Sequence, residues 1–387
     1  MIRTLGILGG GQLGRMLTLE SKRMGLRVVT LEPFPDSPCG QVADEQLVAA
    51  YDDLRAIGEL GARSDLVTYE FENIPLGSVR ALEADGRTVR PNGEVLRITQ
   101  DRIAEKGFLV ENGVPVAPYA AIRAAEDRER ALATIGFPGV LKTALGGYDG
   151  KGQWVLHSRA EAELAFAAAG ARALIYEALV PFERELSIIC ARGSDGATIA
   201  FPVTENVHDH GVLATTIVPA RIAPALAERV RVLAERVGAG LAIVGAYCVE
   251  FFVAGNEVLV NEISPRVHNS GHYSLDATQL SQYEAHVRAI CDLPLVEPEL
   301  LRPAVMFNVL GTGEGDVLAG IDDLLRDPGA KLHLYGKAHA ALRRKMGHVT
   351  ILATTLDDAL VRAGRGRRLL HWTREGAPAQ LAEQRRA

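Results

Sequence analysis

The chain has 387 residues, 48% of them hydrophobic and 23% charged, with a formal net charge of -6. That length exceeds one ordinary core and predicts two or three domains, and the acidic balance argues against nucleic acid or an anionic membrane surface as the main partner. No apolar run reaches the roughly 18 residues of a membrane helix. The N-terminus reads directly as a strand, and Cys39, Cys190, Cys248 and Cys291 show no CxxC spacing, so a cytoplasmic protein with free thiols is expected.

In chain order, a strand at Thr4–Leu8 enters Gly9-Gly10-Gly11-Gln12-Leu13-Gly14, followed by a helix and a strand over 27–31 that ends at Glu32. Such a β–glycine loop–α–β unit aims backbone N–H groups at an anion. Gly9, Gly11 and Gly14 spell G-x-G-x-x-G, and Glu32 sits where a dinucleotide fold places its ribose-binding acid. The alternative is the same half-fold holding another phosphate. Strands over 46–50 and 65–71 follow, and Glu70 and Glu72 at the end of the second are candidates for holding a hydroxylated ligand, or for capping the next helix. Pro91-Asn92-Gly93 marks a turn and the first domain boundary.

The pattern over 99–112 predicts one amphipathic helix with Arg102 and Lys106 on its polar, solvated side. A strand over 137–143 has Lys142 as its only charge, and a lysine in an apolar strand needs an anionic partner. Gly146-Gly147-Tyr148-Asp149-Gly150-Lys151-Gly152-Gln153 then has four glycines in eight residues, the freedom of a mobile flap that can close over phosphates. The strand over 173–177, with Glu185 eight residues beyond, can offer backbone to a base and a carboxylate to a diol. A hairpin is predicted from 185–190 and 198–202, and His208-x-His210 lacks a third ligand for a metal.

After a helix over 223–237 come two strands, over 245–253 and 257–263, joined by Ala254-Gly255-Asn256. Read as a three-residue loop, this places Glu250 and Glu262 on one face, where they can share a divalent metal with phosphate oxygens; a two-residue Gly255-Asn256 turn would set them on opposite faces. The second strand drops into Ser264-Pro265-Arg266-Val267-His268-Asn269-Ser270-Gly271-His272. A helix over 280–291, strands over 304–310 and 331–335, and the basic spot Arg343-Arg344-Lys345 complete the chain, with residues 374–387 expected to fray.

The order of glycine loop, strand lysine, glycine-rich flap, apolar strand with a Glu beyond, and two-Glu hairpin resembles the ATP-grasp superfamily of carboxylate–amine ligases. Gly147-Tyr148-Asp149-Gly150-Lys151-Gly152-Gln153 and Pro265-Arg266-Val267-His268-Asn269-Ser270-Gly271-His272 resemble, within it, the branch that carboxylates 5-aminoimidazole ribonucleotide (AIR) with ATP and bicarbonate in purine biosynthesis. The fold class implied is α/β and α+β: a half-Rossmann domain over 1–98, a two-lobed ATP-grasp domain over 99–296 and a small β-rich C-terminal domain over 297–375, before a tail at 376–387. Rival readings are another ATP-grasp ligase, formate-dependent or biotin carboxylase-like, and an NAD-dependent oxidoreductase suggested by the glycine loop.

The resemblance also implies roles. ATP would meet Arg102, Lys142, Gly147, Tyr148, Asp149, Gly150, Lys151, Gly152, Gln153 and His208, with Glu177, Ala178, Leu179 and Val180 beside the adenine and Glu185 on the ribose. Glu250 and Glu262, with Asn261, would hold Mg²⁺. Arg266, His268 and Asn269 would hold bicarbonate and then carboxyphosphate, and Asp149 and His268 are the candidates for taking the amine proton. AIR would draw on Gln12, Glu70, Glu72, Tyr148, Arg343, Arg344 and Lys345. Lys151 stands where relatives commonly carry Arg, which forks onto two oxygens as Lys does not. The same resemblance implies a homodimer.

Overall fold

Parallel strands in the spatial order Glu45–Val48, Arg27–Glu32, Thr4–Leu8 and Leu66–Tyr69 open the fold of the computed structural model, which describes residues 2–147 and 151–374. Leu66–Tyr69 is buried along its whole length, which explains why it reads as a continuous apolar run. Helices Gln12–Arg23 and Leu54–Arg63 pack on this sheet. Asp53 caps the second helix by accepting N–H bonds from Arg55 and Ala56. The helix Gly93–Gln100 runs through the boundary expected at 98/99.

The single helix expected over 99–112 is two. Asp101 breaks it, accepting from the backbone N–H of Ile103 at 2.9 Å and so starting a new helix, Arg102–Glu111. The break places Arg102 on the first turn, and its backbone N–H donates to the Ala144 carbonyl at 2.9 Å. Apolar periodicity continues across the break, so only the capping chemistry distinguishes two helices from one.

A four-stranded antiparallel sheet comes next, in the order Tyr119–Ile122, Leu174–Ala178, Gly139–Thr143 and Gln153–Leu156. Its core joins Leu141 and Tyr176 to Phe166 of the helix Arg159–Ala169. The largest sheet has nine strands. Eight run in the order Glu257–Ser264, Gly245–Ala254, Arg184–Arg192, Thr204–Asp209, Val212–Val218, Ala304–Leu310, Lys345–Leu352 and Ala330–Leu334, and Thr198–Ala200 pairs beside Arg184–Arg192. The C-terminal strands therefore extend the central sheet. They are covered by a 14-residue helix, Leu356–Leu369, which the β-rich expectation left out. Its buried residues are Ala359, Ala363 and Gly366, too small to leave a strong apolar stripe in the sequence.

The hairpin that carries the two glutamates departs from expectation in an instructive way. Ala254 pairs with Glu257, so the connection is the two-residue Gly255-Asn256 turn and not a three-residue loop. Regular pairing from that turn would set Glu250 opposite Asn261 and turn Glu262 to the other face. Instead the register shifts between Glu250 and Phe251: Phe251 pairs with Val260, and Glu250 pairs directly with Glu262. Asn261 is the extra residue of a β-bulge, and that bulge restores the shared face.

Among the described residues no helix is long and apolar enough to cross a membrane. Cys39, Cys190 and Cys248 are buried free thiols, and Cys291 is a partly buried one.

Candidate active site

Three of the sheets converge on one cavity of about 1210 Å³. The first sheet contributes Gln12, Phe71 and Glu72 from beyond its strand ends, and the small antiparallel sheet contributes Lys142, Gln153 and residues 177–180. Glu185, His208, Glu250 and Glu262 come from the central sheet, Arg266, His268 and Asn269 from the loop after it, and Lys345 from the C-terminal strand. Gathering at the carboxyl ends of the parallel strands is the general ligand position of such sheets.

On the small-sheet side, Lys142 has the anionic partner its buried position demanded: its Nζ lies 3.1 Å from Glu177 Oε2. Burial pulls the Lys142 ammonium below its usual range against the opposing charge of Glu177. Burial also works against the Glu177 carboxylate, yet Lys106 and Lys142 outweigh it and keep that group ionised. Lys106 is no solvated charge. It is 2% exposed, and its ammonium sits 3.9 Å from the same Glu177 oxygen. Further along, His208 Nδ1 bonds the Glu185 carboxylate. Burial disfavours its charge, but Glu185 and Glu250 prevail and raise its basicity.

Glu250 and Glu262 face each other at the centre. Burial and the charge of Glu262 push Glu250 well above the carboxylate range. Glu262 moves down: burial opposes its charge, but Arg102, 3.1 Å away, outweighs it. Two carboxylates this close hold one proton between them until a cation replaces it. Beside them the buried Asn261 Oδ1 has no hydrogen-bond partner. Two carboxylates and a free amide oxygen form a hard-oxygen donor set suited to a divalent cation such as Mg²⁺. Among the described residues no third His, Cys, Asp or Glu joins them.

In the polar loop, Arg266 Nε donates to Glu72, so the loop is tied to the N-terminal domain by an ion pair. The Ser270 backbone N–H donates to His268 Nδ1 at 3.3 Å. Burial, with Arg266 and Lys345 nearby, holds this imidazole neutral, so its proton sits on Nε2, 3.9 Å from Glu250 Oε1. A chain of buried polar groups fixes Ser270 in turn: Thr216 donates to Asn206, Asn206 to Ser187, and Ser187 to Ser270 at 2.8 Å. Asn269 and Asn308 exchange two amide hydrogen bonds, of 3.0 and 2.8 Å, which lock the Asn269 side chain.

Three expected AIR ligands lie elsewhere. Glu70 turns inward beneath the glycine loop and accepts from the backbone N–H groups of Gly11 and Gly14. A Cβ on Gly9, whose φ is +116°, would fall 2.4 Å from Glu70 Cγ. These glycines make room for a carboxylate of the chain itself, and Glu32 is likewise taken up by the Gly10 N–H at 2.9 Å. The loop's anion site is filled from within, which removes the dinucleotide reading. Arg343 and Arg344 are exposed and outside the cavity, with Arg344 bonding the His339 carbonyl at 3.1 Å; of the three cations in that run only Lys345 lines the cavity. In the flap, Gly147 and Gln153 reach the cavity while Lys151 and Gly152 do not line it; Tyr148, Asp149 and Gly150 lie outside the described residues. Sequence reasoning missed Glu105, a buried cavity residue, because an acid on the polar side of an amphipathic helix carries no sequence signal of burial.

Comparison with known proteins finds related domains along the chain. Residues 2–100 match the ribonucleotide synthetase preATP-grasp domain, 107–283 the ATP-grasp domain, and 304–362 the phosphoribosylaminoimidazole carboxylase C-terminal domain. The chain is 42% identical over 355 residues to the N5-carboxyaminoimidazole ribonucleotide synthase of Bacillus subtilis, covering 92% of each chain. It is similar to the Staphylococcus aureus N5-carboxyaminoimidazole synthetase complexed with ADP, with TM-score 0.88 and 35% identity over 94% of this chain and 96% of the other. It is also similar to the Aspergillus clavatus N5-carboxyaminoimidazole synthase complexed with ADP and 5-aminoimidazole ribonucleotide, with TM-score 0.88 and 28% identity over 95% of this chain and 98% of the other. On its three matched domains and on identity along nearly its whole length, the chain belongs to the N5-carboxyaminoimidazole ribonucleotide synthase family of ATP-grasp enzymes.

Proposed function

We propose that this protein is an ATP-dependent ligase that joins bicarbonate to the amine of AIR, giving N5-carboxyaminoimidazole ribonucleotide, ADP and phosphate, in purine biosynthesis. The observation that carries the reading is the single cavity in which the Glu250–Glu262 pair, Lys142 and the Arg266–His268–Asn269 loop all meet. The chemistry requires that meeting. Bicarbonate is a poor electrophile and must be activated by a phosphoryl group, and the activated carboxyl must reach the amine before water does.

In this assignment the backbone of residues 177–180 receives the adenine, Glu185 the ribose, and Lys142, Arg102 and the flap the phosphates. Glu250, Glu262 and Asn261 are the residues that would hold Mg²⁺, which would offset the negative charge of the phosphates when bound. Arg266 presents its guanidinium to the bicarbonate, releasing or sharing Glu72 as the anion arrives. His268, neutral with its proton on Nε2, donates to a carboxyl oxygen and is poorly suited to accept the amine proton. Asp149 is the remaining candidate for that step. AIR lies toward Gln12, Glu72 and Lys345, all of which line the cavity. Assembly as a homodimer belongs to the same proposal, and sedimentation velocity tests it.

The reading is tested with ¹³C-bicarbonate, Mg-ATP and AIR. A new ¹³C carbamate resonance that needs all three substrates is expected. Phosphate release with no labelled carbamate would overturn it.

A further inference from the structure

The helix Arg102–Glu111 lies along the outer edge of the strand Glu257–Ser264, and three residues of its first two turns grip that strand. Residues at i, i+3 and i+4 share one helical face. Arg102 bonds the Glu262 side chain, Glu105 accepts the Ile263 backbone N–H at 3.2 Å, and Lys106 Nζ donates to the carbonyls of both Val260 and Asn261, at 3.1 and 2.7 Å. In a regular strand consecutive carbonyls point to opposite edges, so one ammonium cannot take both. It can here because the bulge at Asn261 turns the two carbonyls to the same side.

Val260 is buried and Asn261 partly so, and leaving both carbonyls unpaired would be costly. Removing the bulge would turn the Asn261 carbonyl back toward the strand Gly245–Ala254 for regular pairing, but it would also rotate Glu262 away from Glu250. Lys106 therefore stabilises the irregular register over the regular one. We infer that Lys106 is a positioning residue for the metal and phosphate site: it holds the Asn261 bulge and so keeps Glu262 opposite Glu250. The lysine touches no substrate in this role and acts only through the strand. The inference deepens the proposed function and rests on its assignment of the carboxylate pair to a divalent cation.

The test is Mn²⁺ binding, followed by electron paramagnetic resonance, to the full-length protein with ADP present, for wild type and for Lys106→Met. Binding of ADP without metal is measured in parallel by calorimetry. Outer-shell partners of metal ligands typically contribute 10- to 100-fold in affinity, so the variant should bind Mn²⁺ at least about tenfold more weakly while metal-free ADP affinity stays within about threefold. Wild-type Mn²⁺ affinity in a folded variant would overturn the inference, and so would an equal loss of metal-free ADP affinity, which would assign Lys106 to the nucleotide through Glu177. If Lys106→Met does not fold, Lys106→Gln, whose amide can serve one carbonyl, must show an intermediate loss of Mn²⁺ affinity; no loss overturns the claim. Absence of Mn²⁺ binding in the wild type is a separate result that overturns the metal assignment itself, and this inference with it.

Discussion

His286 joins the first sheet to the central one, and its replacement by Gln offers a quantitative test of the packing that forms the cavity. The ring is 1% exposed; Nδ1 accepts from the Ala246 backbone N–H at 3.0 Å, and Nε2 bonds Thr68 Oγ1 at 3.0 Å. Accepting at Nδ1 places the proton on Nε2, so the neutral ring satisfies both contacts and a second proton would break one of them. Burial accordingly pulls its pKa from 6.5 to about 4. The folded value lies below the unfolded one, so the unfolded chain binds more protons across this interval. Stability is fully present above pH 6.5 and is lost as pH falls toward 4. With one pKa unit corresponding to about 1.4 kcal/mol, this one group accounts for about 2 kcal/mol of destabilisation by pH 5. Gln can accept from Ala246 and donate to Thr68 but does not titrate. Urea unfolding followed by circular dichroism at pH 7 and pH 5 should show His286→Gln losing about 2 kcal/mol less than wild type over that interval. Other buried histidines titrate in both proteins and cancel in the difference. Equal losses would refute the buried, neutral assignment.

Glu262→Gln should lower AIR-dependent ATP turnover by at least about 100-fold in a protein with wild-type circular dichroism, since it removes the carboxylate that faces Glu250 and pairs with Arg102; near-normal turnover would discard the carboxylate-pair assignment. Arg266→Ala should impair bicarbonate-dependent turnover much more than ADP affinity, read by kinetics and calorimetry, and equal losses would place Arg266 with the nucleotide. Lys345→Ala should raise the apparent KM for AIR about tenfold, the effect of losing roughly 1.4 kcal/mol of a charge-assisted contact, while Arg343→Ala leaves it unchanged. A KM shift in the Arg343 variant would show that the exposed turn also reaches the substrate.

Much of the site was legible because its chemistry is carried by residue types that are conspicuous in context. Lys142, alone in an apolar strand, announced a buried partner, and Glu177 supplies it. The Arg266–His268–Asn269 cluster read only as a crowded polar loop until the family resemblance gave it an anion-holding role, and it does line the cavity. Features that depend on exact register were not legible. The turn after Ala254 is two residues long, and the shared face of Glu250 and Glu262 comes from a bulge with no strong composition signal of its own. Lys106 was read as part of a solvated face, and Glu105 was not singled out, because helical periodicity reports where apolar residues lie, and a buried polar face turned toward a strand edge looks the same in sequence as a wet one. Glu70 illustrates the opposite error: an acid at the carboxyl end of a parallel strand is in the right place for a ligand, yet here it serves the glycine loop.

The central claim is that one cavity couples ATP cleavage to carboxylation of AIR. Its most direct test is ADP release by the purified protein mixed with Mg-ATP, bicarbonate and AIR, omitting each in turn. Rapid release is predicted only in the complete mixture, with a large drop when either AIR or bicarbonate is withheld. Release that proceeds equally well without AIR and bicarbonate, or that requires formate in place of bicarbonate, would contradict the account.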